Sequence, residues 1–123
     1  MLKIYFLSTC DTCKKILKMF QPITAFELQD IKTQPLTVEQ LEKMRAKSGT
    51  YVDLVNRRAQ IIKQEQLEVD RLSEVEVKYW LLKEYTLLKR PVIIIGDHYF
   101  FGNQTMELEK ALSVWQDYQL QRM

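Results

Sequence analysis

Histidine occurs once in these 123 residues, cysteine twice, and glycine and proline three times each. Each shortage excludes something. A tetrahedral zinc site wants four ligands. Two cysteines and a single His98, far along the chain, do not make that set, and His98 reads as an ordinary hairpin residue. Scarce glycine and proline argue against long disordered stretches and against an all-β protein full of tight turns. No apolar run approaches the ~20 residues that a membrane-spanning helix needs, so no membrane contact is expected. The apolar start "MLKIYFLSTCD" is too short for a secretory signal and lacks its small-residue cleavage pattern. An excess of one charge is missing too: 18 basic and 16 acidic side chains leave a formal net charge of +2. Nucleic-acid binders usually carry a strongly basic footprint, so direct nucleic-acid binding is not expected. The expectation is a soluble cytoplasmic protein, and its length predicts a single domain over 1–123.

Apolar side chains are plentiful, at 46% of residues against 28% charged, which is enough for one sizeable core. "LKIYFL" (2–7) reads as a strand. Apolar residues then fall at Cys13, Ile16, Leu17 and Phe20, the spacing of a helix with one buried face. Pro22 stops that helix, and "TAFELQ" (24–29) is a second strand, parallel to the first. Helices are expected over 35–47 and 72–88. The first opens on a capping box of Thr37 and Gln40 and is ended by Gly49; the second opens on Ser73 and Glu76. Segment 51–67 reads as one or two short helices with Leu54, Val55, Ile61 and Ile62 turned inward. Val77, Trp80, Leu81 and Leu88 form a buried stripe in 72–88. "VIII" after Pro91 is a strand buried on both faces, and "GD" turns it into the strand "HYFF". A last helix carries Leu108, Ala111, Leu112 and Trp115 on one face.

The order is β-α-β, a helical block at about 36–88, then β-β-α. That is an α/β, thioredoxin-like three-layer sandwich. Its mixed four-stranded sheet has a helical insertion between the two halves.

Both cysteines lie in "STCDTCKK" (8–15), between the first strand and the first helix. The pair is a redox centre, half of a metal site, or two inert core residues, and the strand-to-helix position favours the first. A helix N-terminus carries partial positive charge and eases ionisation of a thiol. Lys14, Lys15 and Lys18 add charge nearby. Cys10, ahead of the helix, is the expected attacking thiol. Cys13, on the apolar stripe, is the expected resolving thiol. In a thioredoxin-like fold Pro91 is a cis-proline packed against the cysteine loop, with Arg90 facing the same cleft. Arg57 and Arg58 supply a further guanidinium for an oxyanion; a solvated helix face is the other reading of the two.

These blocks resemble the arsenate reductase-like family, which contains ArsC and the redox regulator Spx. The resemblance rests on "STCDTCKK", on "DLVNRRAQIIK" and on "LLKRPVIIIGDHYFFGNQTMELEKAL". It implies a thioredoxin fold with a helical insertion and a cis Pro91. It also implies catalytic roles for Cys10 and Arg90 and an oxyanion contact from Arg58, or from Arg57 by a one-residue shift; with them Cys13 is expected to be catalytic, and Pro91 and Lys14 to bind substrate. Arsenate reductases of the family place a third arginine after the last strand. The corresponding stretch here, "YFFGNQ", has none, which disfavours arsenate but not a disulfide substrate. Two functions follow. One is a thiol-based reductase of an oxyanion or disulfide, without a resident cofactor, drawing on glutathione, glutaredoxin or thioredoxin as reductant. The other is an Spx-like regulator that binds RNA polymerase through a Cys10–Cys13 switch.

Overall fold

The computed structural model describes residues 1–122. In chain order the elements are β1 (Leu2–Phe6), α1 (Asp11–Leu17), β2 (Glu27–Asp30), α2 (Val38–Ser48), α3 (Gln60–Gln64), α4 (Glu74–Lys83), β3 (Val92–Ile95), β4 (His98–Phe101) and α5 (Thr105–Gln121). Short 3-10 turns precede β2, α3, α4 and β3. The chain groups into two compact units, one from 1–32 together with the segment from Arg90 onward, the other Thr33–Lys89.

The first unit holds the sheet, in the order β2-β1-β3-β4. β1 and β2 are parallel, while β3 is antiparallel to both β1 and β4. This is the expected mixed α/β sheet. One face carries Ile4, Ile93, Ile95 and Phe100, packed with Ile16 and Phe20 from the α1 side and with Ala111 and Trp115 of α5. Leu108 and Leu112 border that core. The opposite face carries Lys3 and Tyr5 of β1. Lys3 is ion-paired to Glu27 at 3.0 Å, and its ammonium lies 4.8 Å from the centre of the Tyr5 ring. All four residues of β3 are buried, as a central β-branched strand should be. Gly96 turns the chain into β4 at φ +63°, a conformation that favours glycine.

β2 begins three residues later than the pattern suggested. Ala25 and Phe26 donate back to the carbonyls of Pro22 and Ile23, which closes a 3-10 turn over Ile23–Ala25 before the strand can start. The helix of residues 11–17 ends ahead of Pro22, and both Gln21–Pro22 and Arg90–Pro91 are cis.

The second unit is helical. α2 and α4 start on the two expected capping boxes, and Gly49 ends α2 at φ +93°. Leu54, Val55 and Ile61 are buried, whereas Ile62 is half-buried. α4 stops at Lys83, well before residue 88, because Glu84 is extended and a 3-10 turn follows at Tyr85–Leu87. Trp80 is half-buried, not part of the inward stripe; it flanks Val77 and Leu81, and the Lys83 ammonium sits 4.9 Å from its ring centre.

Candidate redox site

The sheet register brings three chain segments of the first unit to one end. Phe6, the last residue of β1, pairs with Asp30, the last of β2. Tyr5 pairs with Val92, the first of β3, because β1 and β3 run in opposite directions. The chain leaving β1 therefore emerges beside Asp30 and beside Pro91. It makes a tight turn through Ser8 and Thr9, closed by the Cys10 N–H to the Leu7 carbonyl at 3.0 Å. Cys10 is extended (φ −101°, ψ 111°) and is the N-cap of α1. Cys13 follows one turn later, at 1% exposure, while Cys10 is half-buried. Both are free thiols.

The two sulfurs sit in opposite electrostatic settings. Burial works against ionisation of Cys10, but it is outweighed by the Cys13 backbone N–H, the Cys13 thiol, and the charge and hydrogen bond of Arg90. The Cys10 thiol is thereby held below its ordinary value. The N–H contact is not a full capping hydrogen bond to the neutral thiol. A neutral thiol accepts weakly and a thiolate strongly, and that difference is what lowers a pKa. Cys13 goes the other way. Burial pushes its thiol up to about 11, the Leu7 backbone works against this, and the negative charge on Cys10 raises it further.

Arg90 thus stands beside Cys10, and the buried, cis Pro91 leads into Val92, the partner of Tyr5. The lysines do not enter in the way charge counting suggested. Lys14 and Lys15 are exposed on α1, and Cys10 is shifted by Cys13 and Arg90 instead. Arg57 and Arg58 lie in the helical unit, and both are exposed. Arg57 donates both terminal nitrogens to Asp70, at 2.8 and 3.2 Å. Its fork is already filled by a carboxylate of its own unit.

Sequence reasoning missed Asp30 and Ser8. The Asp30 carboxylate accepts the Ser8 N–H and the Lys32 N–H, each at 3.2 Å, and bonds the Ser8 side chain. It is held below the usual carboxylate range, first by the Ser8 side chain. A signal was present: in a parallel β-α-β unit the residues ending both strands are neighbours, and here those ends are an acid and a serine turn.

A strand running into a cysteine turn, a helix with that cysteine at its N-cap position and a cis-proline ahead of the facing strand make up a thioredoxin-like α/β fold. The model of the ArsC family matches residues 5–111, so the chain belongs to the ArsC family. A global transcriptional regulator Spx from Streptococcus mutans is 25% identical over 126 aligned residues, which cover 100% of this chain and 90% of that protein. Among solved structures, an arsenate reductase from Vibrio cholerae superposes with a TM-score of 0.71 at 17% identity, covering 92% of this chain and 96% of its own. An arsenate reductase (ArsC) related protein from Brucella melitensis gives 0.68 at 20% identity, over 89% and 92%. At these identities the two structures speak for the fold. Among the described residues, no helix is long and apolar enough to cross a membrane.

Proposed function

We propose that this single ArsC-type domain is a cytoplasmic thiol-dependent reductase in which Cys10 is the nucleophile. The observation that carries the reading is the split between two thiols three residues apart: one eased toward ionisation by the Cys13 amide and Arg90, the other buried with its proton held up to about 11. The Cys10 thiolate attacks one sulfur of a disulfide substrate. A new S–S bond forms, the old one breaks, and the substrate leaves as a thiolate. Cys13 then gives up its proton and attacks the Cys10 sulfur. That step closes the Cys10–Cys13 disulfide and releases the second substrate thiolate, so the substrate gains two electrons. The first step removes the negative charge on Cys10, one of the causes that keep Cys13 protonated. An external thiol, glutathione or a thioredoxin-type dithiol, restores both cysteines or replaces Cys13 as the resolving group. Arg90 faces the anionic sulfur or a bound oxyanion, and Pro91 lines the site. Lys14, Arg57 and Arg58 remain candidate substrate contacts; Arg57 would first have to leave Asp70.

A disulfide is favoured over arsenate because the stretch after β4 lacks an arginine. Losing one charge-assisted contact to an anion costs about 1.5–3 kcal/mol. The test is turnover with arsenate and with a disulfide substrate, each with glutathione and with thioredoxin. The expected result is disulfide reduction that disappears in Cys10→Ser. Absence of turnover in all four combinations would reject the reductase. The full-length match to a transcriptional regulator supports a second reading, in which the same disulfide switches an RNA polymerase contact. It predicts that reduced and oxidised protein bind RNA polymerase differently and that neither turns over substrate.

A further inference from the structure

We propose that Asp30 is the positioning residue of the cysteine turn: its carboxylate clamps Ser8 and so fixes the direction in which Cys10 leaves β1, toward the Cys13 amide and Arg90. The inference rests on the proposed role of Cys10 and adds to it a residue that touches neither sulfur.

Only four residues, Leu7 to Cys10, connect the end of β1 to the start of α1. One backbone bond closes that turn, from Cys10 to Leu7. Leu7 also presents its backbone to the Cys13 sulfur. Both cysteines are thus referred to the same residue, Leu7, and a rotation there would move them together. Asp30 restrains the Leu7–Ser8 peptide, the one whose carbonyl takes the Cys10 N–H. It takes the Ser8 N–H and the Ser8 side chain, and it anchors its own position through the Lys32 N–H. Ile31 donates to the Phe6 carbonyl at 2.9 Å, which ties the β2 exit to the β1 exit just before the turn. The clamp therefore bears on the sheet and not on a free loop.

A positional role and a purely electrostatic one predict opposite signs. Asp30 is negatively charged. If it acted on Cys10 only through space, removing the charge would ease ionisation of the thiol. If it holds the turn, removing it lets Cys10 swing away from the Cys13 amide and Arg90, and ionisation becomes harder. The other charged groups around the turn are Asp11 and Lys14 on α1, Lys32 after β2, and Arg90 before β3. All are unchanged in the variants.

The experiment is the pH profile of iodoacetamide alkylation of the reduced, full-length chain, with Cys10 labelling read by mass spectrometry. Asp30→Ala is expected to move the midpoint upward and to slow labelling at pH 7 by about threefold or more, since only the thiolate reacts. Asp30→Asn keeps an acceptor oxygen in place without the charge and is expected to restore the wild-type profile. Ser8→Ala loses one of the two Ser8 donors and should move the midpoint upward by less. A downward shift in both Asp30 variants, or no shift in Asp30→Ala, overturns the proposal. If Asp30→Ala does not fold, Ser8→Ala decides: an upward midpoint supports the clamp, and an unmoved or lowered one overturns it. Labelling does not depend on turnover. An Asp30 effect in a protein that reduces nothing would leave the clamp standing and remove the reductase. Turnover with an unresponsive Asp30 would do the reverse.

Discussion

Two helices of the helical unit, α2 and α4, and the cysteine helix α1 of the sheet unit begin in different ways. In the helical unit, α2 and α4 start on complete capping boxes. Thr37 accepts the Gln40 N–H at 3.0 Å and Ser73 accepts the Glu76 N–H at 3.1 Å; Gln40 and Glu76 return a bond to each cap N–H. In the sheet unit, α1 has Cys10 at that same N-cap place, with the Cys13 N–H three residues on, and no full cap bond. An oxygen there satisfies an orphan N–H and stabilises the helix. A sulfur there leaves the N–H partly unspent until the thiol ionises. One location in a helix is thus used for stability in one unit and for acidity in the other, and the atom at the cap decides which.

The sharpest way to break this contrast is to make α1 like the other two. Cys10→Ser supplies a capping oxygen and removes the nucleophile. Disulfide turnover should fall by about a thousandfold or more. Stability should hold or rise by up to about 1 kcal/mol, as expected for a better cap. Urea unfolding beside the activity assay reads both. A stability loss above that range would mean that Cys10 contributes packing and not a vacant cap.

Arg90→Ala tests the other half of the Cys10 setting. The alkylation midpoint should rise, because the guanidinium supplies both charge and a hydrogen bond to the thiolate. Labelling at pH 7 should slow by roughly threefold to tenfold. Arg57→Ala, which only frees Asp70 in the helical unit, should leave the labelling rate unchanged. Equal slowing in both variants would make the effect one of net charge, not of the contact.

The conventional caps should answer in stability alone. Thr37→Ala and Ser73→Ala should each cost about 1 kcal/mol in urea unfolding, within the usual range of ~0.5–2. Neither should move the Cys10 midpoint. A shifted midpoint would tie the helical unit to the thiol in a way the caps do not explain.

How much of this was legible follows from how local each signal is. The capping boxes were read correctly because Ser or Thr and its partner lie three residues apart and need nothing else. "VIII" after Pro91 fixed a central strand, and with it the antiparallel pairing that sets Arg90 beside Cys10. The late start of β2 was hidden because "TAF" suits a strand as well as it suits a 3-10 turn. Trp80 was placed inward on apolarity, but α4 buries only Val77 and Leu81, and the indole flanks them under Lys83. Arg57 stands in the sequence as an alternative to Arg58 for an anion contact, and its bond to Asp70, thirteen residues away, leaves no local signal. Ser8 and Asp30 are twenty-two apart and meet only through the sheet.

The smallest effect compares the third helical residue of α1 with that of α4. Cys13 is a buried thiol raised to about 11, whereas Glu76 is an exposed carboxylate held below its ordinary value, first by the Ser73 backbone N–H. Their linkage to stability has opposite sense. The fold favours the neutral form of Cys13, so that contribution is complete below the ordinary thiol value of 9.0 and is lost as pH rises from there toward 11. The fold favours the charged form of Glu76, so that contribution is complete above 4.5 and is lost as pH falls below it. Cys10, with its lowered value, adds an opposing slope on the alkaline side, and Cys10→Ser is therefore the proper background. Burial, the largest cause at Cys13, persists there. Tyr5, raised from 10.0 to about 12 chiefly by burial, contributes equally to every variant and cancels in differences. Unfolding free energies from pH 3 to 11 should show that Cys13→Ala flattens the alkaline limb and leaves the acid limb alone. Glu76→Gln, which keeps the box in the form α2 already uses, should flatten the acid limb only. If either variant altered both limbs, the third position of these helices would not be acting locally, and the contrast between the two units would dissolve.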